Sequence, residues 1–303
     1  MVYSDDDYSP LRHLASIVCP WWLDPKDVIL VMLSFAFDAG GSESTPTFTV
    51  AGLGSSENDW RAFSEAWSKR LKQDGIAFFR AVDLASFRGP FQHLRNKSGS
   101  ERERVRRALS SDLMDILKSH VYRKFGCMII NKEFAKMSPS LIADFSLNAY
   151  SVAGRTAEKQ VREWIMQEWS PTTPVELVFE EGDADHGKLM QRLKDDAGFE
   201  PIFRPKKDTV RPNGTMAYGY IPLQAADWLA YEISVAEKYL QEGKIDELSD
   251  LRWPMQQFLR IPGEPTIYDE EDMSRFEKGL DLIKKIGIWE RKLGVGRFVQ
   301  GHK

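Results

Sequence analysis

Three acidic sites, each bordering an apolar segment, are the residues of this chain whose types and positions best suit chemistry. They are Asp38, the group Glu180, Glu181 and Asp183, and Asp227. An unpaired charge at such a position is costly, so each carboxylate needs a counter-charge or a metal ion. Hard divalent cations such as Mg²⁺ and Mn²⁺ prefer oxygen ligands, and two such ions about 3.5–4 Å apart can activate a water and stabilise a leaving oxygen. The pattern therefore favours one shared cation site, built from segments that are distant in the chain.

Each of these acids also has a purely structural interpretation, which the sequence leaves open. Asp38 is soon followed by a glycine pair, and aspartate is common where a strand turns into such a loop. The acids of segment 180–185 can instead cap the helix that follows them. Asp227 lies on an apolar helix face, so its partner is either a metal or a hydrogen-bond donor from the backbone, Tyr218 or Tyr220.

Apolar runs and amphipathic stretches predict the elements that must hold these acids. A continuous apolar run is typical of a strand buried on both faces, and apolar residues three and four apart predict a helix. We expect strands at 28–37, 47–52, 76–82, 125–130, 175–179 and 202–203. We expect helices at 56–75, 102–122, 141–169 with a potential break at Gly154, 187–197, 222–240 and 273–285, and a polar loop at 88–99. This order predicts a mixed α/β sheet with helices on its faces.

The motifs and the composition exclude several classes of protein. There is no Gly-x-Ser-x-Gly elbow, no phosphate-binding Gly-Lys-Ser/Thr loop and no Cys/His zinc spacing. The 303 residues carry a net charge of −4 and only two cysteines, too few for a disulfide framework, which fits a reducing compartment. The acidic N-terminus does not resemble a secretory signal, and the apolar run 28–37 is too short to span a bilayer. We therefore expect a globular cytoplasmic protein without a membrane partner.

Basic residues are concentrated in two segments of this mildly acidic chain. The first is a loop just before the Asp227 helix, and it contains Arg204, Lys206, Lys207 and Arg211. The second is the run 88–107, in which acidic residues dilute the positive charge. A basic run is usually a solvated surface, but a polyanionic substrate would need such charge beside a metal site. We therefore expect the first loop to bind the phosphates of a nucleic acid, either DNA or RNA.

Four segments, taken in order, resemble the family called domain of unknown function 3800, which is grouped with the ribonuclease H-like superfamily. They are Phe37–Gly40, Phe79–Leu84, Phe179–Asp183 and Leu223–Leu229. Two positions depart from the pattern of the family. Ala39 stands where the family usually has glutamate, and Arg80 stands where it often has histidine. The first departure removes a further carboxylate, and the second removes a potential base or ligand.

The resemblance implies a ribonuclease H-like mixed sheet whose first strand presents an aspartate, while its fourth strand and a late helix supply further acids. It also implies a divalent-metal-dependent nuclease. In such an enzyme Asp38, Glu180 and Asp227 would hold Mg²⁺ or Mn²⁺, and a water would attack the phosphodiester. Three further acids would assist: Asp83, Glu181 and Asp183. Asp83 has an alternative role, because it can equally cap the turn that follows it.

The expected organisation has three parts: an N-terminal extension at 1–27, a ribonuclease H-like domain with a helical insertion at 28–240, and a C-terminal helical extension at 241–303. The alternative function is a catalytically silent module of the same fold that binds nucleic acid or a protein partner. Ala39 favours this alternative, because active members would have a further carboxylate there.

Overall fold

A six-stranded mixed β-sheet forms the centre of the protein. The structure is a computed structural model that describes residues 32–42, 44–170, 173–182, 186–197 and 201–293. The strands in these ranges are β1 Leu33–Gly41, β2 Thr47–Ser56, β3 Arg123–Ile130, β4 Val175–Glu180, β5 Ile202–Arg204, β6 Thr209–Val210, β7 Met216–Ala217 and β8 Thr266–Tyr268. The sheet has the order β5-β4-β1-β2-β3-β8, and β6 pairs with β7 separately. The prediction of a mixed α/β sheet is confirmed.

Strand β1 lies in the interior of the sheet, between an antiparallel and a parallel neighbour. It pairs antiparallel with β2 and parallel with β4. Phe35 and Phe37 pack on one face and Ala36 on the other, and all three are fully buried. A strand buried on both faces is what a continuous apolar run predicts. The first residues of the predicted strand, 28–31, lie outside the described residues.

Helices cover both faces of the sheet. In chain order they are α1 Glu57–Gln73, α2 Ala81–Ser86, α3 Gly99–His120, α4 Asn131–Phe134, α5 Pro139–Asp144, α6 Ala149–Glu168, α7 His186–Ala197, α8 Pro222–Gln241, α9 Trp253–Phe258 and α10 Glu270–Leu293. The core on one face is built mainly by α1, α3 and α8, and the core on the other mainly by α6, α7 and α10. None of the helices in the described ranges combines the length and the apolar character needed to cross a bilayer.

Helix α1 begins and ends as its sequence predicts. The Ser56 hydroxyl accepts a hydrogen bond from the backbone N–H of Asp59, which satisfies one free donor of the first turn. Beyond the helix, Gly75 has a φ of +70°, which glycine adopts without strain. The buried face of α1 consists of Trp60, Phe63, Trp67 and Leu71. The predicted helix is therefore confirmed, with its core-facing side.

The predicted strand at 76–82 is wrong. Residues 76–80 are irregular, and α2 begins at Ala81. Two of the backbone N–H groups that a strand would offer to a neighbour are bound by side chains instead. Phe79 donates to Gln224 Oε1 at 2.8 Å and Ala81 donates to Asp227 Oδ2 at 2.8 Å. Ile76, Phe79 and Ala81 are buried in the core between the helices and one face of the sheet, whereas Ala77 and Val82 are exposed.

Two smaller predictions also need correction. The expected polar loop at 88–99 contains a 3-10 helix, Gly89–Asn96, which buries Phe91 and Leu94. Gly154 does not break its helix, because the chain interruption falls earlier, at 145–148. A Cβ at Gly154 would lie 2.6 Å from Leu189 Cδ1, so this glycine allows α7 to pack closely on α6.

The two predicted extensions are described to different degrees. The N-terminal extension, 1–27, lies outside the described residues. In the segment 241–303, helix α10 covers the predicted helix at 273–285. The same segment also supplies β8, which pairs in parallel with β3. It therefore adds an edge strand to the main sheet, which the sequence did not lead us to expect.

Gly52 in β2 allows the ring of Phe37 to lie across the sheet. A Cβ at Gly52 would be 2.2 Å from Phe37 Cδ1 and 2.9 Å from the carbonyl oxygen of Ala36. We expect Gly52→Ala to lower the free energy of unfolding by about 1–3 kcal/mol, because the ring must leave its packed position. Equilibrium denaturation measures this, with Gly99→Ala as the control because a Cβ there meets nothing within 4 Å. Equal stability of the two variants would contradict the prediction.

Candidate functional site

Three carboxylates from three separate elements converge on one buried lysine. Lys206 Nζ lies 3.3 Å from Asp38 Oδ2, 2.9 Å from Glu180 Oε2 and 2.8 Å from Asp227 Oδ1. The side chains of these residues are between 3% and 19% exposed. We call this group the Lys206 cluster. The structure thus brings together the three acids to which the sequence analysis gave the main role, with an ammonium group between them.

The sheet and helix α8 place these acids at one point. Strands β1 and β4 are parallel, and Phe37 is paired with Phe179 in their register. The residues that follow the two phenylalanines, Asp38 and Glu180, therefore stand side by side on the opposite face of the sheet. Helix α8 packs on that face, against β1 and β2, and presents Asp227 from its second turn.

Gln224 holds the loop that carries Lys206. Its side-chain amide is buried and donates to the backbone carbonyl of Lys206 at 2.9 Å. Its oxygen accepts from Trp67 Nε1 at 3.1 Å and from the backbone N–H of Phe79 at 2.8 Å. One side chain on α8 thereby joins α1, the irregular segment before α2 and the Lys206 loop. Gln224 precedes Asp227 by about one helical turn, so the two side chains lie on the same face of α8. Gln224 contacts the backbone of Lys206, and Asp227 contacts its ammonium group.

The electrostatics of the Lys206 cluster are unbalanced. Burial raises the pKa of Asp38 well above its ordinary value, and the charges of Asp227 and Glu180 add to this effect while Lys206 opposes it. Burial alone would raise the pKa of Glu180 too, but the hydrogen bond with Asp38 and the Lys206 ammonium lower it. The contact between the two carboxyl groups therefore acts in opposite directions on them: it raises the pKa of Asp38 and lowers that of Glu180.

The ammonium group is strongly stabilised in this position. Burial would lower the pKa of Lys206, but the charges of Asp38, Asp227 and Glu180 raise it above its ordinary value. Lys206 is therefore a permanent cation at neutral pH. Three carboxylates face one ammonium, which leaves a formal charge of −2 when all four groups are ionised. In addition, Asp38 Oδ1 is buried and has no hydrogen-bond partner in the described part of the chain.

Of the three acids that were expected to assist, Asp83 and Glu181 do not contact the Lys206 cluster in the described contacts. Asp83 lies in the first turn of α2, half-buried. Glu181 binds Arg211 Nη2 through both carboxylate oxygens, at 2.9 and 3.1 Å. Asp183 lies outside the described residues. Of the residues expected to form the acidic site, only Asp38, Glu180 and Asp227 therefore have described contacts at one point.

The basic loop has two kinds of side chain. Lys206 turns inward, while Arg204, Lys207 and Arg211 remain on the surface. Arg204 lies 3.5 Å from Glu176 and over the ring of Tyr220. Lys207 Nζ lies 4.4 Å from the centre of the Phe78 ring. The loop therefore exposes three cations, of which Arg204 and Arg211 also contact Glu176 and Glu181, while Lys206 is buried among the acids.

Sequence reasoning missed the roles of Lys206 and Gln224. Lys206 stands among other basic residues, where it looked like part of a solvated phosphate-binding surface. The three predicted acids could have indicated this role, because three buried carboxylates need a cation from within the chain if no metal is present. For Gln224 the signal was a polar amide on an apolar helix face, since buried amides are hydrogen-bonded.

Carboxylate oxygens are suitable ligands for a hard divalent cation, but the carboxylates of the cluster, as arranged here, do not surround a metal position. No group of three or more His, Cys, Asp or Glu side chains in the described ranges is arranged to hold a metal ion as it stands. Lys206 Nζ separates the carboxylates, and Mg²⁺ would require oxygens at about 2.0–2.1 Å. The unpartnered Asp38 Oδ1 and the charge excess fit a cation, provided that Lys206 withdraws.

No protein-family model matches this chain, and no curated protein matches it either. The chemistry of the Lys206 cluster has to be inferred from its own geometry.

Proposed function

We propose that this protein is a divalent-metal-dependent nuclease of ribonuclease H-like fold, which hydrolyses phosphodiester bonds at Asp38, Glu180 and Asp227. One observation carries the proposal: three carboxylates from β1, β4 and α8 converge on a single internal cation that does not balance their charge. A structural ion pair would need one carboxylate for one lysine. Three buried acids around one ammonium are costly unless a further cation binds.

The placement of the acids supports the ribonuclease H-like part of the proposal. The resemblance in the sequence implies an aspartate on the first strand and further acids on the fourth strand and a late helix. In this chain Asp38 lies on β1, Glu180 ends β4 and Asp227 lies on α8. These elements are the ones that the resemblance implies, and they meet on one face of the sheet.

Each residue of the site has its own role in the proposed reaction. A bound Mg²⁺ or Mn²⁺ would supply the Lewis acid that lowers the pKa of a water and stabilises the leaving oxygen. Asp38, Glu180 and Asp227 would hold the metal, and the Ala81 N–H fixes the orientation of Asp227. Lys206 would move out of the cluster and, as a permanent cation, contact the phosphate.

The surface around the cluster supports a nucleic acid as the substrate. Arg204 and Arg211 have side chains that are 44% and 48% exposed, and Lys207 is also exposed. Tyr218, in the same loop, is 76% exposed, and exposed aromatic rings can stack on unpaired bases. Positive charge and an exposed ring beside an acidic site are features of a single-stranded nucleic-acid surface.

A catalytically silent module is the second candidate, and a specific observation favours it. Lys206 already contacts all three acids within 3.3 Å, so the cluster is held together without a metal. Ala39, beside Asp38, offers no further carboxylate. In this case Lys206 would be a permanent structural partner, and the surface loop alone would bind nucleic acid or a protein.

Cleavage assays separate the two candidates. We expect the wild-type chain to cut at least one substrate in a panel of labelled single-stranded and duplex DNA and RNA with Mn²⁺ or Mg²⁺, and not with EDTA. Asp38→Asn and Asp227→Asn should each reduce the rate by at least about 100-fold, because loss of an outer partner alone costs 10–100-fold at metal sites. Asp115→Asn, an exposed change on α3, is the control. Binding of a substrate without cleavage under every condition would favour the silent module.

A further inference from the structure

A cavity separate from the Lys206 cluster lies between α2, α3, α8 and α9. It has a volume of about 610 Å³, which is within the range of small-molecule sites. Its walls combine an apolar side, which includes Leu84, Trp228 and Trp253, with the guanidinium groups of three arginines. None of the four residues of the Lys206 cluster lines it.

The arginines give the cavity an excess of positive charge. They are Arg106, Arg107 and Arg252. Arg106 Nη2 contacts Glu103 at 2.5 Å, and Arg252 lies over the ring of Tyr231. Arg107 is exposed and has no ion pair among the described residues. Arginine binds phosphate and carboxylate groups through two parallel hydrogen bonds, so this wall suits an anionic group.

A buried carboxylate faces the same cavity. Glu232 is 1% exposed, yet it lines the wall. Its Oε1 accepts from Trp228 Nε1 at 3.3 Å and lies 3.4 Å from Arg252 Nη1. Its Oε2 has no hydrogen-bond partner among the described residues. An unpartnered buried carboxylate oxygen is costly, and a ligand that donates a hydrogen bond to it would remove that cost.

We propose that this cavity binds a mononucleotide, with its phosphate on the arginines, its base against the tryptophan side and base N–H groups donating to Glu232. The apolar wall offers room for a planar ring, and Trp253 is 43% exposed at the cavity, where it can stack. Guanine is the best match among the bases, because its N1–H and N2–H₂ groups are adjacent donors that fit the two oxygens of one carboxylate. Adenine presents an acceptor at N1, which would face the carboxylate unfavourably.

Calorimetric titration of the full-length chain with GMP, AMP and inorganic phosphate tests the proposal. We expect GMP to bind at least 10-fold more tightly than AMP, and phosphate to bind more weakly than either nucleotide. Arg107→Ala should weaken GMP and AMP equally, by at least 5-fold. Arg104→Ala, which lies on the same helix but does not line the cavity, should change neither affinity.

The base-reading role of Glu232 has its own test. Glu232→Gln should reduce the preference for GMP over AMP to less than 3-fold while AMP binding persists. If this buried change prevents folding, Trp253→Ala, at a partly exposed position, should weaken both nucleotides at least 5-fold and leave phosphate unchanged. Equal affinity for phosphate and GMP would overturn the proposal in favour of a simple anion site. Absence of GMP binding at millimolar concentration would also overturn it, whatever the cleavage assays show.

Discussion

Replacing Lys206 with methionine should lower the free energy of unfolding by about 3–5 kcal/mol in the presence of EDTA. Removal of one partner from a buried ion pair leaves uncompensated charge, and here three acids lose their shared cation. Methionine has a similar length and removes only the ammonium group. Urea denaturation of the two proteins in EDTA measures the difference. Lys207→Met is the control, because the neighbouring lysine is exposed and we expect a change within about 0.5 kcal/mol.

Adding Mn²⁺ to the Lys206→Met protein should reverse much of this loss. A cation that binds only the folded state stabilises it by mass action, and without the ammonium the carboxylates are free to accept a metal. The midpoint shift with millimolar Mn²⁺ should therefore be larger in the variant than in the wild type. A destabilised variant that does not respond to Mn²⁺ or Mg²⁺ would support the silent module. A variant as stable as wild type in EDTA would show that the ammonium does not hold the cluster.

Gln224→Met should be the second most damaging of these changes, with a loss of about 2–4 kcal/mol. The substitution leaves the indole N–H of Trp67, the backbone N–H of Phe79 and the carbonyl of Lys206 without their partner. Each unsatisfied buried group costs about 1–3 kcal/mol, and local relaxation recovers part of the sum. Chemical denaturation gives the value. Gln241→Met, at the exposed end of the same helix, should be nearly neutral.

The Gln224→Met variant also tests whether Gln224 positions the site in addition to stabilising the fold. Since Gln224 holds the backbone of Lys206, its loss should also loosen the loop that borders the acids. If cleavage is found, Gln224→Met should lower its rate even at temperatures where the variant is fully folded. Folded Gln224→Met protein with wild-type activity would restrict Gln224 to a structural role.

The strands that carry the acids were predictable because β1 lies in a long apolar run and β4 is a short apolar segment that only Glu176 interrupts. Strand β4 and helix α8 agree with their predicted segments within one residue at each end. The adjacency of Asp38 and Glu180 was not predictable in the same way, because the parallel pairing of β1 with β4 has no local signature. It required the resemblance to a family, or the structure.

The wrong predictions for segment 76–82 and for Lys206 have the same physical cause, which is that the partners of these residues are distant in the chain. The backbone N–H groups of Phe79 and Ala81 are satisfied by side chains 145 and 146 residues away. Lys206 is neutralised by acids that are up to 168 residues away. Propensity and spacing describe interactions between near neighbours, so such distant partners override them without leaving a local trace.

The parallel pairing of β1 with β4 also determines when the acidic site can form during folding. Strands β1, β2 and β3 pair in chain order, β1 with β2 across a short turn and β2 with β3 across residues 57–122. Ser34 meets Glu176 only after 142 residues have been closed into a loop. Such long closures come late, because their entropic cost precedes the contacts that offset it. The first half of the sheet can therefore assemble before the carboxylates approach and repel one another. Substitutions in the Lys206 cluster should accordingly accelerate unfolding more than they slow folding.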